Sequence, residues 1–89
     1  MQIRVKRRGR RVYRSVVEHY RCPATGRPKE LMLVSLGQCA TVAEAAKETE
    51  DRIDWARGWR ELGDDRTAEL EELGRRRALL AICRKAGLA

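Results

Sequence analysis

The hydrophobic period of this chain changes once, between Gly37 and Thr41, and that change decides what it can fold into. Before it, apolar residues recur at every second position. Ile3 and Val5 alternate with Gln2, Arg4 and Lys6, the pattern of a strand with one face on a core. Val12 to Tyr20 is rich in β-branched and aromatic residues, and Leu31 to Leu36 is a third apolar run that ends at Gly37. After it, Val42, Ala45, Ala46, Thr49, Ile53 and Ala56 recur at helical spacing. Thr41-Val42-Ala43-Glu44 reads as a capping box: the Thr41 hydroxyl accepts from the Glu44 N–H while Glu44 reaches back.

The connections are short. Arg7-Arg8-Gly9-Arg10 predicts a turn with Gly9 at positive φ. Cys22 to Pro28 predicts a loop, because Pro23 and Pro28 cannot donate to a strand ladder. Short links between strands favour an antiparallel meander. Gly63 stops the first helix, and Asp64 is placed to cap a second that runs from about Asp65 to Lys85. The second helix carries acids near its start and Arg84 and Lys85 at its end, as the helix dipole prefers. Gly74 weakens its middle by about 1 kcal/mol relative to Ala.

The expected fold is therefore α+β: a three-stranded antiparallel β-meander followed by a two-helix hairpin, in one domain with the sheet over 1–38 and helices over 41–63 and 64–86. One sheet face packs on helix, and the other is left for solvent or a ligand. At 89 residues the core is thin, which argues against a large substrate cleft. The chain has no Phe, so Val, Leu, Ile and Ala must fill the interior. Trp55 and Trp59, one helical turn apart and joined by Leu62, are expected to widen the buried stripe as core anchors; a protein interface is the other use of such residues. The Leu79–Cys83 turn is apolar nearly all round, which predicts burial between two partners within the fold or across a subunit interface. Arg75-Arg76-Arg77 spreads over three sides of its helix, with the Arg77 stem expected along the apolar line.

Charge separates the two halves. The chain carries a formal net charge of +7, yet residues 1–40 hold ten Lys/Arg against two acids, while residues 41–89 hold ten against eleven. Such asymmetry points to a phosphate-bearing partner. The candidate contacts are Arg4, Lys6, Arg7, Arg8, Arg10, Arg11 and Arg14 on the hairpin, with Arg27 and Lys29 flanking the second connection. Period-two alternation can line several cations along one face, and small sheets can enter the DNA major groove. The plainer reading is a solvated face whose cations protect edge strands from aggregation.

Other classes of function find less support. No apolar run approaches the ~20 residues that span a bilayer. The basic N-terminus is followed by no apolar segment, so no signal peptide is expected. Cys22, Cys39 and Cys83 have no paired spacing, consistent with reduced thiols and a cytoplasmic location. His19 and Cys22 form a single H-x-x-C pair, whereas zinc takes about four ligands. Ser15, Ser35 and His19 stand in no nucleophile motif. The expectation is a protein that is no enzyme, with no cofactor and no metal.

The run Val12-Tyr13-Arg14-Ser15-Val16-Val17-Glu18-His19-Tyr20-Arg21, the loop Thr25-Gly26-Arg27-Pro28 and Leu33-Val34-Ser35-Leu36-Gly37 resemble the N-terminal region of one group of DDE-type insertion-sequence transposases. The match spans roughly residues 3–37, and Ser35-Leu36-Gly37 is its most specific element. Cys22 stands where an acidic residue is common in that group, and the catalytic core domain is absent. The layout of strands then helix is also similar to the arm-type DNA-binding domains of phage integrases. The resemblance implies a DNA-engaging module without cleavage chemistry.

The sequence thus predicts a small basic nucleic-acid-binding protein, DNA ahead of RNA, from a mobile-element or phage context. The alternative is a protein-interaction module, such as a phage-encoded inhibitor or accessory subunit, or a homodimer. It would act through the helical hairpin with Trp55, Trp59, Leu79 and Ile82.

Overall fold

A computed structural model describes residues 1–88. It contains the strands β1 (Gln2–Arg8), β2 (Arg11–Arg21) and β3 (Pro28–Gly37) and the helices α1 (Val42–Glu61) and α2 (Thr67–Lys85). The strands form one antiparallel sheet in the order β1-β2-β3. The α+β architecture predicted from the period change is the one observed.

The β1–β2 turn is tighter than its sequence suggests. Arg7 and Arg8 remain in the ladder, opposite Val12 and Arg11, so only Gly9 and Arg10 turn. Gly9 takes φ +60° and Arg10 does not go positive, the pattern of a type II′ hairpin. The second connection is closed by Cys22 N–H to Arg27 O and Gly26 N–H to Cys22 O, at 3.0 and 2.7 Å. Pro28 joins the ladder as the first residue of β3, a position that needs no donor.

Register assigns the two faces. Ile3 pairs with Val16 and Val16 with Val34, which places the three side chains together. Two register shifts follow on β3, leaving Leu33 and Leu36 as the extra residues. Val16, Val34 and Leu36 meet Val42 and Ala45 of α1 and Leu80 and Cys83 of α2 in the main core. A smaller cluster of Ile53, Ala56 and Leu73, with Leu70 against it, joins the helices further out. The buried face of α1 is the predicted stripe of Val42, Ala45, Thr49, Ile53 and Ala56.

The capping box forms with one change. Thr41 Oγ1 accepts from Glu44 N–H at 3.1 Å, and Glu44 Oε2 accepts from the N–H of Ala40, one residue before the cap, at 2.9 Å. At the start of α2 the acceptor is Asp65, which takes the Thr67 N–H at 3.1 Å, while Asp64 pairs with Arg66. The helix therefore begins two residues later than Asp65.

Two expectations about packing fail. Trp55 and Trp59 are 52% and 44% exposed, and Leu62 is 80% exposed, so none is a core anchor. Helical steps of ~100° put Trp55 roughly 120° away from the centre of the buried stripe. Burial goes instead to the small residues Ala45 and Ala56, which let the elements approach closely. Arg77 does not lie along the apolar line; it faces Glu50 at 3.5 Å. Arg76 turns inward in its place. Its Nε donates to Thr49 Oγ1 at 3.1 Å and its Nη1 donates to the Ser35 carbonyl, while Thr49 donates to Ala45 O at 2.7 Å. One guanidinium thus ties α2 to α1 and β3.

The apolar turn of α2 is divided. Leu80 and Cys83 are buried in the main core, Leu79 packs partly against it, and Ile82 is 52% exposed. The radius of gyration is 15.6 Å, against about 12 Å for a compact chain of this length. The excess reflects two projections, the β1–β2 hairpin and the outer end of the helix pair.

Candidate nucleic-acid interface

The sheet face opposite the helices is built by β1 and β2 alternation. Ile3 faces the core, so Gln2, Arg4, Lys6 and Arg8 face the other way. Their partners Val17, Ser15, Tyr13 and Arg11 share that face. Met32 and Glu30 join it from β3 through their pairings with Val17 and His19. The face therefore holds Arg4, Lys6, Arg8 and Arg11 in two adjacent rows.

The remaining candidates lie elsewhere. Arg7 and Arg14 belong to the helix-side face by register, toward the hairpin tip where Val5 is 53% exposed. Arg10 is in the turn itself. The hairpin end is thus cationic on both faces. Arg27 and Lys29 sit at the other end of β2, beside Arg21 and Tyr20. An 11-residue strand at about 3.3 Å per residue puts roughly 35 Å between the hairpin turn and the Arg27 end of the sheet. Of the nine cations, seven gather at the hairpin and two do not.

A hydrogen-bond network that the sequence did not reveal occupies the middle of the open face. Arg4 Nη1 donates to Glu30 Oε1, crossing from β1 to β3 above the central strand. His19 Nε2 lies 3.1 Å from Glu30 Oε2, and His19 Nδ1 lies 3.0 Å from Gln2 Nε2. The Arg4 hydrogen bond is the main cause that holds the Glu30 carboxyl below its ordinary range, with His19 contributing less. Val17, on the same face, is 1% exposed although it lies outside the main core. His19 thus serves a carboxylate and an amide of the sheet.

Arg4 is the only one of the nine with a carboxylate partner among the described residues. In the second half of the chain, Arg66 and Arg77 have carboxylate partners. Arg66 pairs with Asp64 and Glu69 at 2.9 and 3.0 Å and stacks 4.8 Å over the Trp55 ring; Glu69 is the first cause that raises its pKa. Trp55 and Trp59 meet edge to face with centroids 6.0 Å apart.

Ser35-Leu36-Gly37 has a structural job. Leu36 is buried, Gly37 takes φ +59° and donates to Ser35 Oγ at 3.2 Å, and the Ser35 carbonyl receives Arg76. The segment turns the chain from sheet to helix. No protein-family profile, curated protein or solved structure matches the chain. The likeness to transposase N-termini therefore rests on the residues quoted for it. No helix among the described residues is long and apolar enough to cross a membrane.

Proposed function

We propose that this chain is a nucleic-acid-binding module, with DNA as its first partner, that works by binding and not by catalysis. The observation that carries the reading is the state of the hairpin cations. Lys6, Arg7, Arg8, Arg10, Arg11 and Arg14 crowd one hairpin, have no carboxylate partner among the described residues, and have no acid near them in sequence before Glu18, whereas residues 41–89 carry eleven acids beside their ten cations. Unneutralised charge concentrated on a projecting hairpin suits a polyanion. A cytoplasmic setting in a phage or mobile element is in keeping with this role and with the transposase resemblance.

The test is a titration of labelled duplex and single-stranded oligonucleotides at several salt concentrations. The expected result is a Kd below about 10 μM at low salt, with log affinity falling by about 0.7–0.9 per phosphate contact for each decade of salt. Replacing Arg7, Arg8, Arg10 and Arg11 together by Gln flattens that slope. Absence of salt-dependent binding to either form overturns the proposal.

A second reading is favoured by the exposure of Trp55, Trp59 and Leu62 on one side of α1. Large aromatics are favoured at protein interfaces. In that reading the helix pair engages a protein partner or a second copy, and the hairpin cations face an acidic protein surface.

A further inference from the structure

A depression of about 250 Å³ opens on the helix-free sheet face, and Tyr13 and Met32 line it. Ser15 and Ser35, which pair across β2 and β3, also line it. Lys6, the register partner of Tyr13, and Arg8 flank it from β1. Tyr13 is half-buried, and Met32 is 61% exposed. The depression thus combines an aromatic ring, a soft thioether chain, two hydroxyls and cations on the β1 side. The Ser35 hydroxyl oxygen accepts from Gly37 N–H, so its own proton is left to donate.

The rest of this face bears on the form of nucleic acid. A sheet that reads a duplex presents Arg, Lys, Asn or Gln to base edges in the groove. Beyond Arg11 beside the turn, the central strand here presents Tyr13, Ser15, the buried Val17, and a His19 already engaged by Gln2 and Glu30. Arg4, the cation nearest the middle, is tied to Glu30. An aromatic ring cannot read a paired base edge, but it offers a stacking surface to an unpaired base, with flanking cations on the backbone.

We infer that the Tyr13–Met32 depression is a stacking site for an unpaired base of a nucleic-acid strand, with Lys6 and Arg8 on the adjoining phosphates. This rests on the nucleic-acid reading above and narrows it to single-stranded or locally opened substrate. The base stacks on Tyr13 against Met32, and the Ser15 and Ser35 hydroxyls meet its polar edge.

The experiment compares a labelled thymidine strand of about twelve nucleotides with an abasic strand of the same length and phosphate count, by anisotropy at fixed salt. The full-length protein binds the base-bearing strand roughly tenfold more tightly than the abasic one. Tyr13→Leu removes that ratio, and Tyr13→Phe retains it. Met32→Gln, at an exposed position, reduces the ratio. Equal affinity of the wild-type chain for the two strands overturns the stacking site while the nucleic-acid reading stands. So does a base-dependent ratio that survives Tyr13→Leu. If neither strand binds, the broader reading falls and the stacking site with it.

Discussion

Arg4 on β1 and Glu30 on β3 join across the central strand that separates them. Glu30 thereby neutralises one cation of the face proposed to bind phosphate. Replacing Glu30 by Gln keeps its shape and removes its charge, which frees Arg4. The expected outcome is tighter binding of oligonucleotides and a salt slope steeper by up to about 0.9, the contribution of one more phosphate contact. Anisotropy titrations of the two proteins across a salt series check this. A slope equal to that of the wild type would mean that Arg4 stays off the phosphates even when released.

The same pair sets a pH dependence. The Glu30 carboxyl is held below its ordinary value of 4.5, first by the Arg4 hydrogen bond. A group whose folded pKa is lowered stabilises the fold above its unfolded pKa and loses that contribution as pH falls through the folded value. The wild type is therefore expected to melt above Glu30→Gln near neutral pH, and the gap is expected to close on acidification below 4.5. The Arg4 side chain is largely solvent-facing and that of Glu30 partly so, so the gap is small. Thermal midpoints of the two proteins from neutral to acid pH measure it. A gap that keeps its size through the acid range would rule out the bridge as its source.

Arg76 is the predicted weak point of the assembly. It donates to Thr49 on α1 and to the Ser35 carbonyl on β3. Hydrogen bonds from a charged group contribute about 1.5–3 kcal/mol, so Arg76→Met is expected to cost about 2 kcal/mol. Thr49→Val removes one acceptor and is expected to cost about 1 kcal/mol. Urea unfolding of the single and double variants gives the coupling, which should exceed about 0.5 kcal/mol for groups in contact. An Arg76→Met protein as stable as the wild type would show that the clamp contributes nothing net.

The contrast between what could and could not be read from the sequence is physical. Val16, Val34, Ile53 and Ala56 were legible because strand and helix periods are local. So were Gly9 and Gly63, whose positive φ suits a residue without Cβ. Arg76 was not, since its acceptor Ser35 is 41 residues away in sequence and only tertiary packing brings them together. The Arg4–Glu30 bridge depends on a register that shifts twice along β3, and hydrophobic alternation does not report the shifts. The nine cations were legible as a set. Their division was also implicit, because a long β2 must carry Arg27 and Lys29 away from the hairpin turn.

Trp55 and Trp59 show how size misleads where angle decides. At i, i+4 and i+7, Trp55, Trp59 and Leu62 make a stripe of their own, displaced from the Val42–Ala56 line. Trp55→Ala is expected to change stability by less than about 1 kcal/mol, as an exposed substitution does. Trp fluorescence of the native protein should be red-shifted and readily quenched by iodide. Sedimentation of the wild type and of the Trp55→Ala/Trp59→Ala double variant tests the second functional reading. A self-associating chain that becomes monomeric on losing both rings would support it. Blue-shifted, protected emission from a monomer would contradict the exposure itself.

The three thiols should separate by reactivity, because the thiolate is the attacking species. Cys22 has its pKa lowered, first by a hydrogen bond with the Thr25 side chain and then by the backbone amides of Ala24 and Thr25. Cys39 is raised, chiefly because its Sγ donates to Glu48 Oε2 at 3.0 Å and ionisation would break that bond beside a carboxylate. Cys83 is raised by burial and is 1% exposed. Iodoacetamide at neutral pH is therefore expected to label Cys22 first, Cys39 more slowly and Cys83 last, as read by peptide mass spectrometry over time. Thr25→Val should slow Cys22 without altering the other two. In denaturant the three rates should converge, since each difference arises from a folded neighbour. Labelling of Cys39 as fast as Cys22 in the native protein would contradict the Glu48 hydrogen bond, and early labelling of Cys83 would mean that the sheet–helix core opens on the labelling timescale.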